Sequence, residues 1–165
     1  MERLVYLGQN KQLFIFTPEN GSNEQLTYSL QDGENMPAIW PVWSPDSRWI
    51  AYFQAPTNKH NARICITEVE GIEVRVLADL SDRIPNYIKW CPNSKYIATI
   101  EQVEKLQMVV YSIDGSRKII LDEGSPIFFD WTPDGCGIVA HLINPFNNKS
   151  SVRFYSIEDS NLDYV

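Results

Sequence analysis

Short runs of β-branched and aromatic residues recur along the chain, and each run ends at an acidic or Asn turn. Four of these runs are similar to one another, and they occupy residues 12–21, 64–71, 108–115 and 151–158. No stretch has the sustained 3.6-residue period of apolar positions that predicts a helix, and the 10 Pro are scattered. The pattern therefore predicts an all-β chain.

A tryptophan motif occurs three times without gaps, at residues 43–53, 90–100 and 131–141. Its shared positions are a Trp, a Pro two residues later and then Asp or Asn: Trp43, Pro45, Asp46, Trp90, Pro92, Asn93, Trp131, Pro133 and Asp134. Pro favours the end of a strand because it cannot donate to a β-ladder, and Asp or Asn followed by Ser or Gly favours a tight turn. Each copy therefore predicts a strand, a tight turn and a second strand.

The three motif copies are 47 and 41 residues apart, which is the length of a four-stranded blade of a β-propeller. Combined with the recurring runs and a short outer strand after each turn (25–30, 73–80 and 118–121), the motif predicts antiparallel blades of four strands. We divide the single domain 1–165 into an incomplete blade at about 1–31, two blades at 37–80 and 85–121, and a last blade of three or four strands at 126–165. The chain would then hold about 3.5–4 blades, a partial or half propeller, against about 4–8 in a closed ring.

An open array of blades exposes its terminal faces, which repeat proteins normally cover. We therefore expect the end blades to contact a protein partner, a second copy in a homodimer, or a missing continuation of the same chain. A four-bladed closed monomer is the remaining alternative.

The first motif copy resembles the WSPDG repeat of TolB-like β-propellers, since it reads WSPDS at 43–47 and WIAY at 49–52. The same repeat occurs in propeller domains of prolyl-oligopeptidase-type peptidases and in oligogalacturonate-lyase-like proteins. The resemblance runs from about Leu4 to the C-terminus and implies a propeller. It implies little about activity, because the shared residues build the blade.

This sequence departs from the repeat at several motif positions. Ser47 and Ser94 replace the turn Gly in the first two copies. Cys91 and Thr132 replace the Ser before the Pro in the last two copies. In the third copy, the pair Cys136 and Gly137 follows the turn. The GH and WD dipeptides of WD-repeat propellers are absent from the sequence.

Composition and charge restrict the partners that we expect. The chain is 44% hydrophobic and 12% aromatic, which is typical of a folded domain, and its 14 Lys and Arg against 21 Asp and Glu give a net charge of −7. An acidic domain is a poor candidate for nucleic-acid binding, and no apolar run is long enough to span a membrane. The N-terminal apolar run stops after four residues, which is too short for a secretory signal. The three Cys have no CxxC spacing and favour a reducing compartment. We therefore expect a cytoplasmic protein without nucleic-acid or membrane partners.

The candidate chemistry is sparse. We expect the motif Trp residues to pack between blades and the motif Asp and Asn residues to cap turns, with Trp40 and Trp49 as the more exposed aromatics. The histidines are His60, in a polar loop, and His141, on an apolar strand. We find no G-x-S-x-G elbow, phosphate loop or zinc spacing, and we predict no catalytic residue, cofactor or metal.

These observations favour a non-enzymatic propeller scaffold or protein-binding module. Two alternatives stay open: the propeller portion of a larger prolyl-oligopeptidase-like peptidase, and a sugar-processing propeller similar to the lyases. The first requires a hydrolase domain elsewhere in the gene, and the second requires His ligands that converge on the channel.

Overall fold

The computed structural model describes residues 2–28, 36–55, 61–71, 73–144 and 146–157, and within them the chain forms strands and no helix. The strands are β1 (Leu4–Leu7), β2 (Leu13–Thr17), β3 (Ser22–Gln25), β4 (Ala38–Trp43), β5 (Trp49–Gln54), β6 (Ala62–Glu68), β7 (Val74–Leu80), β8 (Ile84–Trp90), β9 (Tyr96–Gln102), β10 (Leu106–Ser112), β11 (Lys118–Gly124), β12 (Ile127–Trp131), β13 (Gly137–Ile143) and β14 (Ser150–Ser156). The prediction of an all-β chain is confirmed.

The strands form four sheets, and the order of strands within each sheet follows the order in the sequence. β1–β3 and β12–β14 are three-stranded, whereas β4–β7 and β8–β11 are four-stranded. Neighbouring strands within the sheets run antiparallel, as in β1–β2, β5–β6, β9–β10 and β13–β14. The chain divides into two compact units, Met1–Pro85 and Asn86–Val165, so each unit contains a three-stranded and a four-stranded sheet.

The outer strand of the first sheet differs from the prediction. We predicted it at residues 25–30, but β3 covers Ser22–Gln25, and residues 29–30 lie outside the described part of the chain. The reason is the tight turn after β2, in which Gly21 has φ 68° and the Ser22 N–H donates to Asn20 Oδ1. Because this turn reverses the chain at once, pairing with β2 begins at Ser22.

The core of the first unit lies between β1–β3 and β4–β7. Leu13 and Ile15 of β2 pack in one buried cluster with Ile50 and Tyr52 of β5 and Cys65 of β6. These positions alternate along β2 and β5, as expected for strands with one face against a neighbouring sheet.

The core of the second unit lies between β8–β11 and β12–β14. It is formed by alternate residues of facing strands, among them Ala98 of β9, Met108 of β10 and Ile138 of β13. One polar cluster also joins the two sheets: the Asp122 carboxylate of β11 accepts hydrogen bonds from the Arg153 guanidinium and the Tyr155 hydroxyl, both on β14. Burial, followed by the hydrogen bond to Asp122, raises the pKa of Tyr155, so this hydroxyl remains a donor at neutral pH.

Candidate functional site

The motif Asp and Asn side chains cap tight turns. In the first copy, Asp46 Oδ1 accepts hydrogen bonds from the Ser44 hydroxyl and the Arg48 N–H, and the Ser44 hydroxyl oxygen accepts from the Trp49 N–H. In the second copy, Asn93 Oδ1 accepts from the Lys95 N–H. The Oδ1 atoms of these side chains therefore accept hydrogen bonds from groups within their own turns.

The third copy has the same arrangement, and so does a turn outside the motif. Asp134 Oδ1 accepts from the Thr132 hydroxyl and the Cys136 N–H. In the turn between β10 and β11, Asp114 Oδ1 accepts from the Ser112 hydroxyl and the Ser116 N–H. Pro45, Pro92 and Pro133 lie between the strand end and these caps.

The motif tryptophans belong to the packed interior to different degrees. Trp90 and Trp131 are buried, and Trp131 belongs to the core of the second unit. The Trp131 indole N–H donates to the Lys89 carbonyl across the two sheets of that unit, at 3.4 Å. Trp43 is half-buried and packs against the core of the first unit.

A second aromatic series, which we did not predict from the sequence, lies three residues before each motif Trp. Its members are Trp40, Tyr87 and Phe128, which are 44%, 46% and 65% exposed. Each belongs to the first strand of its sheet, namely β4, β8 and β12. The signal was present in the sequence, because the offset from the motif Trp is constant, but only the structure shows that these rings are exposed while the motif rings are more buried.

Trp40 and Trp49 have contacts that limit their exposure. The Trp40 ring lies edge-on to Phe53, with ring centroids 5.9 Å apart. Trp40 has φ 52°, and the register of β4 against β5 shifts at this point, which is how a bulge redirects a side chain. Trp49 is half-buried, and the Arg75 guanidinium lies 4.5 Å from its ring centroid.

Two members of this exposed series line an apolar cavity in the second unit, which we call the aromatic cavity. It has a volume of about 450 Å³, and its lining residues are Asn86, Tyr87, Ile100, Leu106, Ile127, Phe128 and Phe129. Tyr87 packs edge-on against Phe129, with ring centroids 5.6 Å apart. A concave apolar surface with a few polar groups is the usual form of a binding site.

A larger cleft lies in the first unit. Its volume is about 690 Å³, and it is lined by Glu2, Arg3, Trp43, Ser47 and Glu70. Its wall carries two carboxylates, a guanidinium and one ring, so it lacks the apolar lining of the aromatic cavity.

The titratable side chains of Lys89, Asp130 and His141, which belong to β8, β12 and β13, have partners. Asp130 accepts from the Lys89 ammonium at 2.7 Å, and this hydrogen bond lowers the pKa of Asp130. His141 Nε2 lies 2.6 Å from the Ser150 hydroxyl, and its ring stacks on Phe128. His60 lies outside the described residues.

Two of the three thiols are buried. Burial raises the pKa of the Cys65 thiol to about 12, and burial also raises the pKa of Cys91, whose Sγ lies 3.3 Å from the Gly135 carbonyl oxygen. Cys136 is exposed in the third motif turn, and no disulfide joins the three.

Among the described residues, no group of three or more His, Cys, Asp or Glu is placed to hold a metal ion. The same part of the chain contains no helix of the length and hydropathy needed to cross a membrane.

Comparisons with known proteins identify the fold. No protein-family model matches the chain, and no curated protein matches it. Solved structures do match: TolB from Acinetobacter baumannii at 15% identity and a TM-score of 0.66, an oligogalacturonate lyase in complex with manganese at 12% and 0.73, and the β-propeller domain of the Trilobed protease from Pyrococcus furiosus at 14% and 0.64.

The three matches cover 98%, 98% and 99% of this chain but 41%, 49% and 52% of the matched chains. The chain therefore spans about half the length of these proteins. At such identities the likeness establishes the fold, and the prediction of a β-propeller built of antiparallel blades is confirmed. The resemblance to TolB-like and peptidase propellers is supported at the level of structure.

Proposed function

We propose that this chain is a non-enzymatic propeller module that binds a protein partner through the aromatic cavity. The observation that carries the proposal is the exposure of Tyr87 and Phe128 on the first strands of two sheets, where they line one apolar concavity. In a propeller the blades surround a central channel, and ligands bind at that channel or at its rims.

The chemistry of the cavity favours an apolar anchor. Aromatic walls bind apolar or aromatic side chains through contact area and edge-to-face packing, and such anchors carry most of the binding free energy of protein interfaces. The Asn86 amide adds one polar group to the rim. The partner we expect is an extended peptide segment that carries a Leu, Phe or Trp side chain.

Peptide selection on the intact chain tests this proposal. Peptides selected from a display library on the immobilised wild-type chain are labelled, and their affinity is measured by fluorescence anisotropy. We expect enrichment of sequences with an apolar anchor, and we expect Tyr87→Ala to weaken them at least tenfold, which is about 1.4 kcal/mol. Tyr28→Ala is the matched control, because Tyr28 is also exposed but belongs to the first unit.

The proposal fails if Tyr87→Ala, shown by circular dichroism to be folded, selects and binds the same peptides as the wild type. It also fails if Tyr28→Ala weakens binding by as much as Tyr87→Ala.

One alternative has an observation in its favour. The match to the propeller domain of a protease supports a role as the propeller portion of a larger peptidase. The full-length gene distinguishes the two: an adjoining segment that encodes a G-x-S-x-G elbow establishes the peptidase, whereas its absence from the full-length gene removes it.

A further inference from the structure

Two departures from the tryptophan motif are cysteines, and the fold brings them to one place. Cys91 stands at the Ser or Thr position of the other two copies, and Cys136 stands at their Arg or Lys position. Cys91 directly follows β8, and Cys136 directly precedes β13. The two thiols therefore belong to turns of different sheets, both within the second unit.

The Cys91 thiol bonds differently from the hydroxyls at the equivalent positions. Ser44 and Thr132 each donate to the Asp of their own turn. The Cys91 thiol donates to the third motif turn, where its Sγ lies 3.3 Å from the Gly135 carbonyl oxygen. A Cβ on residue 135 would lie only 2.9 Å from Cys91 Sγ. The glycine of the third turn therefore makes room for the Cys91 sulfur.

This contact places Cys91 beside Cys136, because Cys136 is bonded directly to Gly135. From the fixed geometry of the peptide unit, Cys91 Sγ lies within roughly 6 Å of Cys136 Cα. The Cys136 sulfur lies over the same turn, 4.0 Å from the Asp134 carbonyl oxygen. Burial raises the pKa of Cys91, and the nearby charge of Cys136 raises it further. Disulfides join cysteines whose Cα atoms are about 4.4–6.8 Å apart, so a bond here requires a movement of a few ångström at most in an exposed turn.

We propose that Cys91 and Cys136 form a peroxide-sensitive modification site, in which Cys136 is oxidised first and Cys91 then closes a reversible disulfide. The order follows from exposure, since Cys136 is exposed and Cys91 is buried. Peroxide in solution reaches the Cys136 sulfur, and Cys91 is the thiol placed to attack the product. In reducing compartments, disulfides of this kind are usually transient and serve redox sensing.

The reaction consumes one hydrogen peroxide for each disulfide. The Cys136 thiolate attacks a peroxide oxygen and the O–O bond breaks, which gives a sulfenic acid and a hydroxide that takes up the proton Cys136 released. The Cys91 sulfur then attacks the sulfenic sulfur, so that the S–S bond forms and the S–O bond breaks. The departing hydroxide takes the proton of the Cys91 thiol and forms a second water. The two sulfurs together lose two electrons, and the peroxide gains them.

The disulfide would tie the β8–β11 sheet to the β12–β14 sheet at their motif turns. It closes a loop of about 45 residues, and a cross-link over a loop of this length restricts the unfolded chain strongly. We therefore expect the oxidised protein to have a thermal midpoint roughly 5–10 °C above that of the reduced protein.

Thiol counting by intact-mass spectrometry tests the proposal on the whole chain. The reduced protein is treated with a small excess of hydrogen peroxide, cleared of peroxide with catalase, and unfolded in excess iodoacetamide. The reduced wild type should accept three alkyl groups, and the oxidised wild type should accept one and lose two hydrogens. Proteolysis without reductant should release the Cys91 and Cys136 peptides as one linked species that dithiothreitol separates.

Two variants separate the roles of the thiols, and a third is the matched control. Cys91→Ser restores the residue of the first motif turn, and in this variant dimedone should trap at least tenfold more sulfenic acid on Cys136 than in the wild type. Cys136→Ser should keep both remaining thiols alkylatable after peroxide. Cys65→Ala removes the buried thiol of the first unit and should still form the disulfide. Circular dichroism establishes that each variant is folded.

An oxidised wild type that still accepts three alkyl groups overturns the proposal. So does oxidation of Cys136 to a sulfenic or sulfinic acid without a link to Cys91. A disulfide between the Cys136 residues of two copies, seen as a doubled mass, also overturns it. The same holds for a folded Cys65→Ala variant that fails to form the bond.

Discussion

The Asp side chains of the tight turns act as hydrogen-bond acceptors whose charge stabilises the folded state. The Ser112 hydroxyl and the Ser116 N–H lower the pKa of Asp114 from 3.8 to about 2, and the Thr132 hydroxyl and the Cys136 N–H lower the pKa of Asp134. A carboxyl whose pKa is lower in the folded state contributes stability above its unfolded pKa. That contribution is lost as the pH falls through the folded pKa. The stability that Asp114 contributes should therefore disappear between about pH 4 and pH 2.

Asp114→Asn should therefore reduce the acid sensitivity of the fold. The amide keeps an Oδ1 acceptor, as Asn93 does in the second motif turn, but it does not titrate. We expect the difference in thermal midpoint between wild type and variant to shrink as the pH is lowered from 4 to 2, as measured by circular dichroism. Asp82→Asn, which removes an exposed carboxylate outside these turns, controls for net charge. Parallel curves for wild type and Asp114→Asn would contradict the prediction.

At the scale of strands and sheets, the departure of the third motif copy has a packing cause. Gly137 occupies the position of Trp49 and Tyr96 in the other copies. The ring over this position comes from β14: a Cβ on Gly137 would lie 2.5 Å from Phe154 Cε2 and 2.7 Å from the Tyr155 carbonyl oxygen. The third sheet therefore has Gly where the other two copies have a large residue, and the large side chain at this place is Phe154 of the neighbouring strand β14.

Gly137→Ala should destabilise the protein by about 1–3 kcal/mol, because the carbonyl of Tyr155 cannot move away as a flexible side chain could. Urea denaturation followed by circular dichroism measures this change. Gly71→Ala is the control, since its added Cβ would come no closer than 3.1 Å to Glu68 Cβ. Equal stability of Gly137→Ala and wild type would show that the backbone adjusts.

The strands were predictable because each turn signal is local. Pro, Asp or Asn, and Ser or Gly specify the motif turns within five residues, and the structure contains a strand on each side of every copy. The cluster of Asp122, Arg153 and Tyr155 was not predictable, because it depends on how two sheets pack and joins residues 31 and 33 positions apart. The exposure of Tyr87 and Phe128 also depends on packing, although their spacing from the motif Trp is visible in the sequence.

At the scale of the whole molecule, the two aromatic series have opposite roles. The motif series contributes to the packed interior, whereas the series three residues earlier is exposed. A large ring with little exposed surface contributes far more to stability than one that is half-exposed.

Trp131→Ala should cost about 3–5 kcal/mol of unfolding free energy, the range for a buried Trp truncated to Ala. Trp131 is 6% exposed. Trp40→Ala should cost less than about 1.5 kcal/mol, because Trp40 is 44% exposed and its ring packs edge-on against Phe53. Chemical denaturation of both variants measures the two losses of unfolding free energy. Equal losses for Trp131→Ala and Trp40→Ala would contradict the prediction.

The exposed thiol of Cys136 makes this molecule easy to tag at one site. With Cys65 and Cys91 buried and their pKa values raised, a maleimide dye at neutral pH should react with Cys136 in preference to the other two. The native chain thus accepts a fluorophore on the third motif turn without engineered cysteines.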